Sequence, residues 1–394
     1  MLDPAGSSAH VSHSLCNHLS ELGCDVHVFT APHWLRVSGS ITAYQKNICF
    51  YRATQMRSYD ARNAVYRMFW RIVRLMQHVW AMVSICVMAG KFDVVHTQIL
   101  PLPAFDYLCL RLIAQRTPVV CTVHELVPHR SKYRRFAGAC FGAIYRLARV
   151  LFVYTEYTGN KLVAELGVPR EKVLRVPHGR LEGLLETGLT PTPSSSEEPP
   201  VVLFLGNIRP DKGLDTLIEA AAYLRGKVPY FRLQIAGAPG IDVAALRASA
   251  IELGLQNFVE FHPGFLPERE FAGYLSRATV VALPYRRTEQ SGVAIAACTF
   301  GKAIVATRCG GLEELITEAD NGLLVPIDDP IALAEALAIL ILDGEKRRAC
   351  ERRSRHYADT TLSWTPIAAK TVAGYRIAMG EPRDVGHPMV AEQP

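Results

Sequence analysis

Two cations in one short turn are the first side chains whose types and spacing could do chemistry. Arg209 and Lys212 lie in G-N-I-R-P-D-K-G-L, between a buried run that ends at Gly206 and a helix expected to begin near Gly213. A guanidinium offers a planar pair of donors and an ammonium a compact charge, so the pair suits a diphosphate. The alternative is that both cations are solvated in a surface turn.

A second stretch, from Leu283 to Glu314, supplies a complementary feature. Ser291 and Gly292 open an apolar helix, and N–H groups at a helix start attract phosphate through free hydrogen bonds and the helix dipole. A glycine-rich helix start also serves packing alone. The loops of this stretch leave the carboxyl ends of adjacent predicted strands, where open α/β sheets bind ligands, and the cation turn faces the same edge.

Two histidines end predicted strands in the N-terminal half. His124 follows V-V-C-T-V at a strand's carboxyl edge, where a histidine is either a functional group or a satisfied structural residue. His178, in P-H-G, lies where the chain leaves the domain. We interpret His178 as part of a turn and keep His124 as a candidate site residue.

Chain length, net charge and cysteine content restrict the class of protein. A chain of 394 residues predicts two domains, and its net charge of +6 favours anionic ligands or a membrane surface without reaching the density of a nucleic-acid binder. The ten cysteines include no C-x-x-C pair, and Cys121 and Cys298 lie in apolar runs. This pattern favours buried thiols in a reducing, cytoplasmic compartment over disulfides or a zinc site. We expect no nucleic-acid partner.

Strands and helices alternate through both halves, which predicts α/β domains with parallel, doubly wound sheets. We expect an N-terminal domain over 1–180, a linker over 181–200, a C-terminal domain over 201–362, a helix over 363–380 that returns to the first domain, and a disordered tail over 381–394. The predicted strands are 24–31, 48–52, 93–98, 118–125, 150–156, 173–177, 201–206, 231–236, 258–261, 279–283, 303–306 and 323–326, and the longest predicted helix is 62–88.

The motif G-N-I-R-P-D-K-G-L, together with Q-S-G-V and F-G-K-A-I-V-A-T-R-C-G-G-L-E-E, resembles the retaining glycosyltransferases of family 4. T-V-H-E, V-P-H-G and S-W-T-P-I-A match such enzymes in order, so the resemblance covers nearly the whole chain. It implies the GT-B fold, in which two Rossmann-like domains face each other across a cleft. It also implies transfer of a hexose from a UDP- or GDP-linked sugar to a glycan or lipid-linked acceptor, with retention and without a metal or cofactor. The absence of a D-x-D triplet agrees with this.

The resemblance implies roles for the matching positions. Arg209 and Lys212 would be catalytic, holding the donor diphosphate and stabilising the departing nucleotide. His124 would be a catalytic and acceptor-side residue that either orients the sugar or contacts phosphate, and Gly6, in the first loop, would also face the acceptor. The implied donor-binding positions are Gly206, Arg209, Lys212, Glu289, Gln290, Ser291, Gly292, Val293 and Glu314.

Three of these donor positions need comment. Glu289 and Gln290 are the candidates for contacts with sugar hydroxyls. Glu314, or its neighbour Glu313, would approach the nucleotide, although the helix dipole explains a carboxylate at a helix start equally well.

Two departures from the family pattern weaken the assignment of activity. The second of two motif glutamates falls on Ala296, although a variant branch with Q-S-G-V also lacks it. The strand expected before Asp3 is absent, so that either the given start is late or another segment occupies its place. Two alternatives therefore stay open: a nucleotide-sugar 2-epimerase, and a degenerate nucleotide-sugar-binding scaffold without transfer activity.

Basic and aromatic residues suggest a membrane partner. A basic cluster runs from His129 to Arg135, and the long predicted helix carries arginines between aromatic residues, at 62, 67, 71 and 74. We expect this domain to rest on an anionic bilayer at the inner face of a membrane. The alternative is a solvated basic face, and the apolar stretch 68–89 is too interrupted by charge to predict a membrane span.

Overall fold

In the computed structural model, residues 1–4, 9–32, 34, 42–52, 64–127, 134–190 and 198–381 are described. These residues contain thirteen strands and fourteen α-helices. They form two compact units: unit 1 contains Met1–Val153, Gly159–Val176 and the chain from Thr365, and unit 2 contains Tyr154–Thr158 and Pro177–Trp364. Each unit is a parallel α/β domain, as predicted.

Unit 1 has a seven-stranded parallel sheet with the order β3-β2-β1-β4-β5-β6-β7. Its strands are β1 (Leu2–Asp3), β2 (His27–Thr30), β3 (Gln45–Ile48), β4 (Val95–Thr97), β5 (Val119–Val123), β6 (Val150–Val153) and β7 (Val173–Arg175). Its connecting helices are α1 (Ala9–Glu21), α2 (Ala64–Met88), α3 (Pro103–Ile113), α4 (Arg134–Leu147) and α5 (Glu156–Leu166), the last of which begins in unit 2. Strands β4, β5 and β6 are buried along their whole length. This burial is expected for a parallel sheet whose two faces are both covered by helices.

The prediction that the first strand is absent is wrong. Leu2–Asp3 form a two-residue strand in the centre of the sheet, where Leu2 pairs with Phe29 on one side and with Thr97 on the other. The α-amino group of Met1 donates to the carbonyl of His27 at 2.6 Å, and burial lowers the pKa of this amine. The central position is therefore occupied, because two residues are enough to pair both neighbouring strands.

The second predicted strand is displaced. The structure has Gln45–Ile48 in place of 48–52, and Tyr51 has a left-handed backbone with φ of 53°. Because β3 is the edge of the sheet, the sequence Q-K-N-I needs little apolar surface and gives no strong periodic signal.

Unit 2 has a six-stranded parallel sheet with the order β10-β9-β8-β11-β12-β13. Its strands are β8 (Val201–Leu205), β9 (Arg232–Gly237), β10 (Val259–Pro263), β11 (Val280–Leu283), β12 (Ala303–Thr307) and β13 (Gly322–Val325). Its helices are α6 (Glu182–Leu185), α7 (Leu214–Arg225), α8 (Val243–Glu252), α9 (Glu268–Arg277), α10 (Gly292–Thr299), α11 (Gly310–Ala319), α12 (Pro330–Leu342) and α13 (Gly344–Asp359).

The predicted linker is wrong over its first part. Residues 182–185 form helix α6, Leu184 is buried in the core of unit 2, and Leu189 packs against that core. The segment contains four leucines without a clear helical period, and three of them, Leu181, Leu184 and Leu189, pack against the core. Residues 191–197 of the predicted linker lie outside the described part of the chain.

The last described helix is α14 (Trp364–Met379), and most of it belongs to unit 1. Gly374 packs so closely on Phe152 of β6 that a Cβ atom at position 374 would lie 2.4 Å from the ring. Tyr375 shares a 2.7 Å hydrogen bond with Nδ1 of His96. The C-terminal end of the described chain thus covers the sheet of the first domain, as the predicted returning helix requires.

Each sheet has one point where the strand order reverses direction. In unit 2 the chain adds β9 on one side of β8 and later β11 on the other, so the loops after β8 and β11 flank this point. In unit 1 the reversal lies between β1 and β4. Open α/β sheets bind ligands at the carboxyl ends of the strands beside such a point.

A buried histidine–carboxylate pair joins α2 to α3 in unit 1. The Nε2 atom of His78 lies 2.6 Å from an Asp106 carboxylate oxygen, and both side chains are fully buried. The other ring nitrogen of His78 shares a hydrogen bond with the Tyr51 hydroxyl, and the other Asp106 oxygen accepts the Leu102 N–H. Removing one partner of such a pair leaves the other buried without compensation.

We therefore expect Asp106→Ala to lower the free energy of unfolding by about 3 kcal/mol, because His78 and the Leu102 N–H both lose their acceptor. Urea denaturation followed by circular dichroism measures the change. The matched control is Glu165→Ala, which removes an exposed carboxylate 3.6 Å from Lys161 and should cost about 0.5 kcal/mol or less. Equal losses for both variants would contradict the interpretation.

Candidate functional site

The turn after β8 has a backbone that only glycine accommodates at its two ends. Gly206 leaves the strand with φ of 117°, a 3₁₀ turn covers Pro210–Lys212, and Gly213 starts α7 with φ of 64°. A Cβ atom at Gly213 would lie 2.0 Å from the carbonyl oxygen of Pro284, in the loop after β11. The two loops beside the reversal point of unit 2 are therefore in direct backbone contact.

Arg209 is held in one orientation by its own turn. Its Nε and Nη2 atoms donate to the two carboxylate oxygens of Asp211 at 2.9 and 2.7 Å. Burial alone would raise the pKa of Asp211, but the hydrogen bonds and charge of Arg209, with the charge of Lys212, outweigh it and lower that pKa. Asp211 is thus a carboxylate that orients the guanidinium, a role that the sequence analysis missed.

Arg286 fixes the same turn from the loop after β11. Its backbone N–H donates to the carbonyl of Asp211 at 3.0 Å, and its Nη1 donates to the carbonyl of Pro210 at 2.9 Å. Its remaining donors reach the carboxylates of Asp215 and Asp328 at 2.8 and 2.7 Å. Sequence reasoning missed Arg286, although an arginine directly after a strand at the reversal point is a signal that could have found it.

Tyr285 joins the two motifs of unit 2. The ammonium of Lys212 lies 3.5 Å from the centroid of the Tyr285 ring, a cation–π distance, and the Tyr285 hydroxyl shares a hydrogen bond with the Ser291 side chain. Tyr285 is 2% exposed, and burial raises the pKa of its hydroxyl strongly. The structure therefore brings Lys212 of the first motif beside Ser291 of the second.

Helix α10 begins at this cluster. Ser291 caps it by accepting the Ala294 N–H, whereas the N–H groups of Gly292 and Val293 have no partner among the described residues. A Cβ atom at Gly206 would lie 3.2 Å from Cγ2 of Val293, so the helix start lies against the end of β8. The predicted donor positions 206, 209, 212 and 291–293 are thus neighbours in unit 2.

Gln290 carries a buried donor at the same helix start. Its Nε2 atom is buried and has no hydrogen-bond partner within the described part of the chain. A buried polar atom without a partner costs free energy unless a ligand or water satisfies it. This amide is therefore a candidate ligand contact, as predicted for Gln290.

The loop that starts α11 packs on the backbone of the Gln290 loop. A Cβ atom at Gly310 would lie 1.9 Å from the Thr288 carbonyl oxygen, and one at Gly311 would lie 2.2 Å from that of Glu289. Both glycines are therefore required by close backbone approach. The carbonyl of Glu289 also accepts a hydrogen bond from the Thr155 hydroxyl at 3.3 Å.

Glu314 has protein partners within unit 2. Its two carboxylate oxygens accept the N–H groups of Glu156 and Tyr157 at 2.9 and 3.1 Å. These N–H groups are at the start of α5, so the carboxylate stabilises a helix N-terminus. Glu313 pairs with Arg308 at 3.1 Å.

Ala296, where the family resemblance places a motif glutamate, lies inside the packed body of α10. All six residues from Ala294 to Thr299 are buried, and Ala296 has no exposed surface. Cys298 of the same helix is buried as predicted, and burial raises the pKa of its thiol to about 12. Helix α10 is thus covered along its whole length after the first turn.

In unit 1, His124 belongs to a hydrogen-bonded chain at the carboxyl ends of β4 and β5. Its Nε2 atom lies 2.8 Å from Oε1 of Gln98, and the Gln98 amide nitrogen lies 3.3 Å from Nε2 of His96. That His96 nitrogen also lies 2.7 Å from the Thr122 hydroxyl, and its Nδ1 lies 2.7 Å from the Tyr375 hydroxyl. Sequence reasoning missed Gln98 and His96.

The donors and acceptors of this chain fix the tautomers. Burial holds the pKa of His96 well below its ordinary value, so its ring is neutral, with Nδ1–H donating to Tyr375 and Nε2 accepting from Thr122 and Gln98. The Gln98 oxygen can only accept, so Nε2 of His124 donates to it. A neutral His124 therefore has Nδ1 as its acceptor atom.

His178 has structural partners, but it lies in irregular backbone and not in the predicted turn. Its Nδ1–H donates to the Gly179 carbonyl at 2.7 Å, and its ring packs edge-on against Tyr154. Burial lowers the pKa of His178 to about 4. Gly6 and residues 129–133 of the basic cluster lie outside the described residues, so the predictions for them stay predictions.

We expect Gly213→Ala to destabilise unit 2 by about 3 kcal/mol or more, since the new methyl group meets the Pro284 carbonyl and the residue keeps a left-handed backbone. Gly188→Ala is the control, because Gly188 has a similar φ of 72° with nothing within 4 Å of the added atom. That variant should lose about 1 kcal/mol from backbone strain alone. Thermal unfolding distinguishes the two, and equal losses would exclude the steric contact as the cause.

Comparison with known proteins covers both units. The family model described as Glycosyltransferase Family 4 matches residues 8–180, and the one described as Glycosyl transferases group 1 matches residues 191–357. A curated relative named D-inositol 3-phosphate glycosyltransferase, from Corynebacterium efficiens, is 29% identical over 297 residues, 70% of this chain and 70% of the relative. One of the same name from Xylanimonas cellulosilytica is 28% identical over 311 residues, 73% of this chain and 72% of the relative.

Solved structures share the fold at low identity. Sucrose-phosphate synthase from Thermosynechococcus elongatus matches with a TM-score of 0.69 and 22% identity over 92% of this chain and 91% of that one. Alr3699/HepE from Anabaena, solved in complex with UDP and glucose, matches with a TM-score of 0.69 and 18% identity over 94% and 97% of the two chains. The chain belongs to glycosyltransferase family 4, has the GT-B fold and is a glycosyltransferase.

Proposed function

We propose that this glycosyltransferase moves a hexose from a UDP- or GDP-linked sugar to a glycan or lipid-linked acceptor, with retention and without a metal. The observation that carries the proposal is the cluster of Lys212, Tyr285 and Ser291 beside the reversal point of the second sheet. It joins a cation to a helix start with unpartnered N–H groups, and both features favour a phosphate group.

The donor diphosphate is assigned to unit 2. Arg209, oriented by Asp211, offers a planar guanidinium, and Lys212 offers an ammonium above the Tyr285 ring. The Gly292 and Val293 N–H groups add neutral donors with the favourable end of a helix dipole. The buried Gln290 amide then contacts a sugar hydroxyl or a phosphate oxygen, which would satisfy its Nε2 atom.

The same groups support the chemical step. When the bond between the sugar C1 and the diphosphate oxygen breaks, both electrons stay on that oxygen, and negative charge grows on the departing nucleotide. Fixed cations and N–H groups aimed at this charge stabilise the transition state more than the ground state. The acceptor oxygen forms the new bond to C1, and its proton passes to the departing diphosphate oxygen.

His124 is assigned to the acceptor side of unit 1. Its Nε2–H donates to Gln98, which holds the ring at the carboxyl edge of the sheet, and we assign the ring to contact the acceptor sugar or a phosphate oxygen. Gln98 acts through His124, so it is a positioning residue. The buried chain through His96 to Tyr375 holds Gln98 in the orientation that presents its oxygen to His124.

The names of the compared proteins suggest the first ligands to use. UDP and glucose are bound in the Anabaena structure, and the curated relatives are named for transfer to D-inositol 3-phosphate. We therefore start with UDP as a ligand and UDP-glucose as a donor, compare GDP, and include a polyol phosphate among glycan and lipid-linked acceptors.

We expect UDP or GDP to raise the thermal stability of the wild-type chain, by about 2.7 kcal/mol at a hundred times its dissociation constant. The double variant Arg209→Ala/Lys212→Ala should bind the same nucleotide about a hundredfold more weakly, because two charged phosphate contacts are worth about 3 kcal/mol together. Isothermal titration calorimetry measures both affinities. Lys227→Ala is the control, since Lys227 is a cation just past the C-terminal end of α7 that pairs with Glu335.

Undiminished nucleotide affinity in the double variant would contradict the assigned diphosphate site. Product analysis distinguishes the alternative functions. An epimerase converts the nucleotide sugar without any acceptor, and a scaffold binds it without forming a product. Transfer to an acceptor with release of the nucleoside diphosphate supports the proposal.

We expect Gln98→Leu to lower kcat about tenfold while the donor KM stays unchanged, because it removes the acceptor that orients His124. Gln98→Glu keeps an acceptor oxygen for His124, so it should retain more kcat than Gln98→Leu. Gln115→Leu, at an exposed position of unit 1, is the control for loss of an amide. Equal kcat in Gln98→Leu and wild type would show that Gln98 does not act through His124.

A further inference from the structure

Helix α2 carries an exposed apolar stripe along its whole length. The stripe begins at Val65 and ends at Val87, and the residues between are Phe69, Ile72, Met76, Trp80 and Val83. Each of these seven side chains is at least 50% exposed, up to 75% for Val65. At 100° per residue all seven lie within a sector of about 80° on one side of the helix.

The opposite side of α2 fixes the helix to unit 1. His78, Ala81, Met82 and Ile85 are buried at 0–2% exposure, and His78 forms the buried pair with Asp106. The helix with its 3₁₀ extension, Val65–Lys91, is long and apolar enough to cross a membrane by length and composition. Crossing would, however, expose this buried side and separate His78 from Asp106, so α2 stays on the sheet.

The spacing of the stripe residues favours contact with a flat surface over contact with a second helix. Its seven positions repeat about every 3.7 residues, close to the 3.6 of a straight helix. A seam with a partner helix in a left-handed coiled coil repeats every 3.5 residues, so it would drift away from this stripe. A straight stripe of about 33 Å keeps one face on a plane.

The charged residues of α2 indicate which flat surface it contacts. The helix contains Arg67, Arg71 and Arg74 and no acidic residue, and Arg67 and Arg71 are exposed. They lie on the side opposite the stripe, which is the arrangement of a helix that buries its apolar face at the boundary of lipid headgroups and acyl chains. Trp80, within the stripe, and Tyr66, beside it, suit that boundary because each combines an apolar ring with a polar group.

We propose that the stripe of α2 inserts into the surface of an anionic lipid bilayer, with the helix axis in the plane of the membrane. The sequence analysis assigned membrane contact mainly to basic charge, whereas the structure assigns it to exposed apolar side chains. The inference goes beyond the proposed function and does not depend on transfer activity. A surface held in this way would give the enzyme access to lipid-linked molecules.

Vesicle flotation with phosphatidylcholine and with a mixture of phosphatidylcholine and phosphatidylglycerol tests the proposal. The wild-type chain should float with the anionic vesicles, and Met76→Glu/Trp80→Glu should reduce the bound fraction at least about tenfold. The matched control is Tyr230→Glu/Phe265→Glu, which changes two apolar residues of unit 2 that are 80% and 87% exposed. The control should bind within about twofold of wild type.

Two further measurements separate the contribution of the arginine charges from that of the inserted apolar side chains. Arg67→Gln/Arg71→Gln should weaken binding to the anionic vesicles and make it less sensitive to salt. Brominated lipids should quench the tryptophan fluorescence of bound wild-type protein, and Trp80→Phe should remove much of that quenching. Nucleotide affinity and melting temperature of each variant show that folding and the donor site are intact, so failure here is distinct from failure of the proposed function.

Three results would overturn the proposal. Vesicle binding that is equal in the stripe variant and in wild type would exclude the stripe as the contact. Absence of binding to either vesicle at any salt concentration would exclude the bilayer. If sedimentation without lipid shows wild-type dimers and Met76→Glu/Trp80→Glu monomers, and neither binds vesicles, the stripe is an interface between protein chains.

Discussion

The organisation of the candidate site in unit 2 depends on the contacts of one buried side chain, Tyr285. Tyr285 follows β11 directly, carries the Lys212 ammonium on its ring and shares a hydrogen bond with Ser291. These contacts join a turn after one strand to a helix start after its neighbour, and Arg286, the next residue, anchors the same turn through its carbonyl groups. A cation and a set of N–H groups are therefore held in fixed positions before any ligand arrives. Such preorganisation is what electrostatic stabilisation of a leaving group requires.

Much of unit 2 could be predicted from its sequence, because β8, β11, β12 and β13 are largely apolar runs of four or five residues and its turns are marked by glycine. The cations and the helix start were found because each follows a strand that ends at the same edge. Tyr285 and Arg286 were missed because an aromatic and an arginine in a loop carry no periodic signal. Their roles depend on backbone contacts such as that between Gly213 and the Pro284 carbonyl, and these appear only when the sheet is assembled.

Unit 1 was less predictable for a physical reason. Its sheet contains a two-residue central strand and a polar edge strand, Gln45–Ile48, and neither has the length or the apolar content that makes a strand recognisable. His124 was found from its place at the end of a strand. The chain from His124 through Gln98 and His96 to Tyr375 connects β5, β4 and the last helix, which are far apart in sequence. Only the register of neighbouring strands shows that these groups meet.

The burial of Ala296 limits which side chains can be accommodated at this position. The position has no exposed surface, and the residues around it in α10 are also covered. A glutamate there would have to displace its neighbours and would place a carboxylate among apolar atoms. A glutamate therefore cannot be accommodated at position 296 by one substitution alone. A variant that carries it would need further changes that remodel the packing of the helix.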